Sequence, residues 1–204
     1  MLLLREVVEG DIDQLHSLAK RLNTLNLPDD RERLEKLIRV SRGSFGGTYR
    51  EVKYRDYVFV LEDDGEVIGS CMILAKHGTY ERPSCYFEVT EDQKYSYTLD
   101  KYFIHQVLQL SFNYDGPTEI GGLILAPEYR GHDLKLGKIL SYVRFLFIGM
   151  FPELFCEEIV AEMLPPLKED GTSDLWECLG RHFTELDYRT ADRLSRNNIE
   201  FVRS

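Results

Sequence analysis

Glu119-Ile120-Gly121-Gly122-Leu123-Ile124-Leu125-Ala126-Pro127-Glu128-Tyr129-Arg130-Gly131, followed by the apolar run of residues 139–150, reads as a strand that ends in a turn and feeds a helix. A strand end leaves backbone N–H and C=O groups open. The first turn of the next helix adds unpaired N–H groups and the positive end of the helix dipole. An anion docks naturally at such a junction, and pyrophosphate is the first candidate.

Upstream, helical and strand patterns follow one another. Residues 2–8 form a short apolar-rich strand. Gly10-Asp11 then leads into Ile12, Leu15, Leu18, Ala19 and Leu22 at helical spacing, with Asp11 as the N-cap. Residues 23–30 make a polar loop, residues 31–42 resume a helical pattern through Leu34, Leu37 and Ile38, and Gly46-Gly47 marks a mobile or tightly turned connection. Asp63-Asp64-Gly65, between the strand-like runs 57–61 and 66–74, signals a hairpin. Residues 78–92 fit a strand entered by a loop, residues 99–110 fit a helix carrying His105, and Asn113-Tyr114-Asp115-Gly116-Pro117 stops that element. Downstream, residues 158–163 read as a buried strand ended by Pro165-Pro166. Ser173 or Asp174 then caps a helix with Leu175, Trp176, Leu179 and Phe183 on one side, Trp176 serving as a core anchor. No repeat or linker divides the chain, so residues 1–204 read as a single domain of mixed α/β (α+β) class, with residues 120–125 as the middle strand of a central sheet.

Composition narrows the function. A formal net charge of −10, from 35 acidic against 25 basic side chains, argues against a nucleic-acid partner, so any phosphate site must be local. Cys71, Cys85, Cys156 and Cys178 are widely spaced without a C-x-x-C pair, which points away from a metal site and toward buried free thiols in a reducing compartment. Residues 1–10 are too short and too charged for a signal peptide, and no apolar run is long enough to span a membrane. A cytoplasmic protein fits best.

Four further segments sharpen the reading: Tyr57-Val58-Phe59-Val60-Leu61-Glu62-Asp63, Ile159-Val160-Ala161-Glu162-Met163, Trp176-Glu177-Cys178-Leu179-Gly180-Arg181-His182-Phe183 and Ala191-Asp192-Arg193-Leu194-Ser195. With the order of elements, they resemble the arginine N-succinyltransferases of the GNAT superfamily of acyl-CoA-dependent N-acyltransferases, most closely from Gly121 onward. The resemblance implies a GNAT-like fold, a mostly antiparallel central sheet flanked by helices. Its fourth strand and third helix would hold coenzyme A. It also implies acyl-CoA, as succinyl-CoA or acetyl-CoA, for co-substrate, no tightly bound cofactor, and a small-molecule amine such as arginine for acceptor.

On that resemblance Arg130-Gly131-His132-Asp133-Leu134-Lys135-Leu136-Gly137 takes the place of the family's pyrophosphate loop. Gly131 and Gly137 would let backbone N–H groups approach the phosphates, and Arg130, Lys135 and Lys138 would supply positive charge. The loop is slightly longer than the family's, and Asp133 sits among residues that should face an anion. Leu123, Ile124 and Leu125 would offer backbone groups to the pantetheine and the thioester carbonyl, where an N–H stabilises the developing oxyanion. Without a ligand, the same loop is a βα connection capped by Asp133, and the three residues are a buried strand.

Glu162, an acid inside an apolar strand, is a candidate for binding the cationic substrate or acting as a base; the alternative is an edge position, solvated or paired to arginine. The family carries an arginine where this chain has Leu164, which leaves the acceptor's identity open. His182 is either a general base or a helix C-terminal charge, and His105 and His132 are weaker candidates. The resembled enzyme continues past Ser204, its proton-donating histidine lies beyond that point, and residues 199–202 look like the start of its next strand. The expectations are therefore little turnover by this chain alone and a strand edge open to a homo- or hetero-oligomeric partner. The favoured function is acyl transfer to an amine. Its rivals are a non-catalytic acyl-CoA-binding or interaction module and a GNAT acetyltransferase acting on another amine.

Overall fold

The computed structural model describes residues 1–22, 27–163 and 166–203. Positions 23–26 of the expected polar loop, Leu164, and the strand-ending Pro165 lie outside them. Where the sequence reads as a single domain, the chain sorts into two compact units, Met1–Ser84 with Asn113–Glu162 and Cys85–Phe112 with Met163–Ser204.

The first unit runs β1 (Leu2–Glu6), α1 (Ile12–Leu22), α2 (Arg31–Phe45), β2 (Asp56–Asp63) and β3 (Glu66–Leu74). After the residues of the second unit it resumes with β6 (Thr118–Leu125), α3 (Leu136–Met150) and β7 (Ile159–Val160). Its five strands pair in the order β1-β2-β3-β6-β7, antiparallel throughout except for the parallel β6–β7 pair. This is the expected mixed α/β, GNAT-like fold with a mostly antiparallel sheet and flanking helices. The middle strand is β3, not residues 120–125; β6 stands fourth, still inside the sheet.

Local chemistry explains each element. Asp64 (φ 46°) and Gly65 (φ 89°) both take the left-handed conformation that a two-residue hairpin turn requires, so the Asp-Gly signal translates directly into the β2–β3 hairpin. In α1, Leu15, Leu18 and Ala19 are buried; α2 buries Leu34 and Ile38. Asp30 caps α2 by accepting from the Arg33 N–H at 3.1 Å. Asp11 does not cap α1 as expected. Its carboxylate accepts from the Val8 N–H at 2.8 Å and from Arg5 at 2.7 and 2.8 Å, which stitches β1 to the turn ahead of the helix. Rings from α2 and α3 converge on β2: Phe45 and Phe147 lie 5.1 and 5.0 Å from Tyr57, and each lies 5.4 Å from Phe59. That apolar wedge fixes α3 against the sheet.

The second unit contains β4 (Ser84–Ser96) and β5 (Lys101–Asn113), paired as a two-stranded sheet, apart from their outermost residues. The helix expected at 99–110 is thus a strand. Leu99, Phe103 and Leu110 mimic helical spacing, but residues 101–113 are rich in aromatic and branched side chains, and pairing with β4 decides between the two periods. Beyond Met163 the unit has a π-helical turn (Trp176–Gly180), α4 (Arg181–Thr184), α5 (Tyr188–Asn197) and α6 (Ile199–Arg203). Ser173 does begin this stretch, accepting from the Glu177 N–H at 2.9 Å through its carbonyl. The expected apolar side does not form: Leu175 and Phe183 are exposed and Trp176 is half-buried, its Nε1 donating to the Leu186 carbonyl at 2.9 Å. The strand expected at 199–202 is helical, because the Asn198 side chain accepts from the Glu200 N–H at 3.0 Å and starts α6. No strand edge for a partner exists there.

Candidate functional site

The site begins with a mismatch in pairing. Between β3 and β6, Ser70 faces Ile124 and Met72 faces Gly121, so β6 carries one residue more than its neighbour. Gly122 absorbs the bulge at φ 59°, where a Cβ would stand 2.6 Å from Met72 Cγ. The bulge re-aims Leu123, whose side chain is partly exposed, while Ile124 returns to the core. On the other side of β6, β7 pairs only with Thr118 and Glu119. Because β7 ends at Val160, the far side of β6 from Ile120 to Leu125 has no strand beside it among the described residues. Buried Arg144 of α3 fastens the bulged strand by donating to the Gly121 carbonyl at 3.2 Å and to Ser141 Oγ at 2.9 Å.

Directly after β6 comes the expected phosphate loop. Residues 130–135 are exposed, Gly131 has φ 78°, and α3 begins at Leu136, earlier than the apolar run suggested. Its N-cap is Lys135 in the left-handed conformation, and no side chain caps it among the described residues. Asp133 is thus not the cap. Lys135 and Lys138 are exposed at the first turn of α3, where the Lys138 N–H donates to the Lys135 carbonyl at 2.7 Å. Arg130 donates through Nε to the Leu125 carbonyl at 3.3 Å, fastening the loop to the strand end. His132 accepts from the Leu134 N–H at 3.1 Å, a role internal to the loop.

At the opposite end of β6, a charged cluster appears that the sequence did not announce. The segment after β3 is tied to the segment before β6 by His77 N–H to the Pro117 carbonyl (2.7 Å) and Gly116 N–H to the Gly78 carbonyl (3.2 Å). A Cβ on Gly116 would lie 2.1 Å from the His77 carbonyl oxygen, so only glycine permits this approach. The crossing delivers His77 between two acids: Nδ1 lies 2.6 Å from Glu119 Oε2, and Nε2 lies 3.1 Å from Glu162 Oε1, within ion-pair distance but off the line of a directed hydrogen bond. Glu119 first and Glu162 second push the His77 pKa up to about 10 against the opposing effect of burial, so the ring is an imidazolium at neutral pH. The same contact holds the Glu162 carboxyl below its ordinary range. Glu162 does not sit in a buried strand: β7 ends at Val160, and the Glu162 side chain is 59% exposed. Its partner is histidine, not arginine. Asp56, at the start of β2, shares Leu74 with Glu119 as cross-strand neighbour, and burial pushes its carboxyl up to about 6.

The strand, turn and helix stand in the order read from the sequence. A family model described as arginine N-succinyltransferase beta subunit matches residues 2–204. The chain belongs to the arginine N-succinyltransferase family. The arginine N-succinyltransferase subunit beta of Pseudomonas aeruginosa is 34% identical over 197 residues, covering 95% of this chain and 57% of that protein. The arginine N-succinyltransferase of Yersinia enterocolitica is 34% identical over 199 residues, covering 96% and 56%. Among solved structures, the arginine/ornithine succinyltransferase subunit AI of P. aeruginosa superposes with a TM-score of 0.84 at 29% identity, covering 96% of this chain and 59% of that one. The chain thus spans little more than half the length of the family members it matches.

His182 is exposed in α4, within the second unit, and His105 is exposed on β5. Cys71 is a buried thiol, its pKa pushed up to about 12 by burial, whereas Cys85 and Cys178 are exposed, contrary to the expectation of buried thiols throughout. No group of acidic, histidine or cysteine side chains among the described residues could hold a metal ion, and no described helix is long and apolar enough to cross a membrane. His77 and Glu119 were missed. The signal available for Glu119 was the one used for Glu162, an acid within an apolar strand; His77 had none, because only the crossing of two distant loops brings it there.

Proposed function

We propose that the first unit is an acyl-transfer module of the arginine N-succinyltransferase type, moving an acyl group, succinyl by preference, from its coenzyme A thioester to the α-amine of arginine or a related amine. The observation that carries this reading is the side of β6 left without a neighbouring strand from Ile120 to Leu125 among the described residues, beside the bulge at Gly122 and directly before the start of α3, which no side chain caps. Pantetheine would run along the open side of Leu123, Ile124 and Leu125, and the pyrophosphate would meet Arg130, Gly131, Lys135, Gly137 and Lys138. A bulge N–H aimed to that side would stabilise the oxyanion formed by direct attack of the amine. Acids at the far end of β6, Glu162 among them, suit a cationic acceptor; His182 enters only as a second candidate base. The relatives' designations, subunit beta and subunit AI, support assembly with a second chain.

The test is coenzyme A release from succinyl-CoA and acetyl-CoA against arginine, ornithine and lysine, with the product mass identified. Amine-dependent release, faster with succinyl-CoA, is expected. Binding of succinyl-CoA without transfer to any of the three would favour the non-catalytic module instead.

A further inference from the structure

The β4–β5 ribbon is a sheet of its own, two strands of 13 residues each. Along a strand, alternate side chains point to opposite faces. The Tyr95 and Tyr102 rings meet at 4.8 Å, which puts the odd-numbered residues of β4 and the even-numbered residues of β5 on one face. That face carries Phe87, Val89, Leu108 and Leu110 toward its base and Tyr95, Tyr102 and Ile104 at its tip, all of them exposed. Tyr102 is 75% exposed and Val89 62%. The opposite face holds Glu88, Asp92, Lys94, Lys101 and His105, and there Thr90 and Asp92 are half-buried. The ribbon is thus amphipathic, and its apolar face is the more exposed of the two, the reverse of a solvated sheet.

A two-stranded sheet alone is marginal in water, and a large apolar patch on a soluble chain marks a contact surface. We infer that the apolar face of the β4–β5 ribbon packs against the same face of a second copy of this chain, as two sheet layers related by a two-fold axis. The inference goes beyond the acyl-transfer reading and does not rest on it.

Size, charge and pattern each point to a second copy. A face of two such strands is about 40 Å long and about 10 Å wide. Two of them packed together bury on the order of 1,000 Å², where specific interfaces begin. A chain of net charge −10 repels its own copies, so they can meet only where charge is sparse. Glu91 is the one charged side chain on the apolar face among the described residues. The face is also self-complementary. Counting inward by twos from Tyr95 and Tyr102 sets Glu91 level with Gln106, between the apolar base and the tip. An axis running along the ribbon lays β4 of each copy over β5 of the other, tip on tip and base on base. Glu91 then meets Gln106 of the second copy, whose amide can donate to it, and not a second carboxylate.

The full chain is examined by sedimentation equilibrium across the micromolar range. The expected mass is twice the 23.8 kDa of one chain, and association should tighten as salt screens the mutual repulsion. Ile104→Asp combined with Leu108→Asp should weaken the dimer by about 100-fold or more, with the circular dichroism spectrum unchanged. Val107→Asp, on the opposite face, should leave it intact. Should the double variant lose its fold, Ile104→Thr with Leu108→Thr takes its place, since threonine keeps strand propensity, and a weakened dimer is again expected. A wild-type chain that stays monomeric overturns the inference and leaves the face to a different chain. A dimer that persists in the folded Ile104 and Leu108 variant overturns it as well, and so does one that dissociates as fully in Val107→Asp.

Discussion

His77 illustrates how a residue can be silent in sequence and dominant in structure. An isolated histidine between a lysine and a glycine carries no pattern, yet the pairing of residues 77 and 78 with residues 116 and 117 sets it against Glu119 and Glu162. The consequence for stability has a definite sign. The folded pKa of about 10 lies above the unfolded value, so the native chain binds the extra proton between about pH 6.5 and 10. The stabilisation from this cluster is therefore complete below about pH 6.5 and is lost as pH rises toward 10. Urea denaturation at pH 6, 8 and 10 should show wild type losing stability across that window more steeply than His77→Gln, and nuclear magnetic resonance should show the His77 ring unchanged through pH 8. An imidazole that titrates near pH 6.5 would contradict the ion-pair geometry.

Strand β6 shows what an element adds to its residues. Gly121-Gly122 lie within a stretch that reads as a strand, but the residue left over against β3 is visible only in the pairing. Replacing Gly122 by Val forces a branched side chain into φ 59° and sets its Cβ 2.6 Å from Met72 Cγ. The strain alone is worth about 1–3 kcal/mol, to be read as a lower midpoint in urea, and Leu123 should lose its presentation to the open side of β6. What was legible beforehand was local. The Asp64-Gly65 turn, the apolar run of α3 and the short polar breaks each rest on neighbours in sequence. The misread elements rest on pairings that their own periodicity does not reveal: residues 101–113 become a strand because β4 pairs with them, and Asp11 turns from cap to ion-pair partner because Arg5, at the end of β1, reaches it. The connection between β6 and α3 falls where the sequence puts it, although the helix N-cap is Lys135 and not Asp133.

At the scale of the whole molecule, an acidic chain presents a lysine-bearing loop after the C-terminal end of β6, and the acidic cluster lies at that strand's other end. That polarity suits a ligand with phosphates at one end and a cationic acceptor meeting it at the other. Phosphate contacts on exposed lysines are screened by salt, so affinity for coenzyme A should fall with ionic strength and fall further in Lys135→Glu. The most direct test follows the backbone itself: ¹⁵N-labelled protein titrated with coenzyme A at low salt, reading amide shifts residue by residue. The account predicts saturable shifts at Leu123, Ile124, Leu125, Gly131 and Gly137 that weaken together in Lys135→Glu. Saturable shifts confined to residues of the second unit, or no shifts at any position, would contradict it.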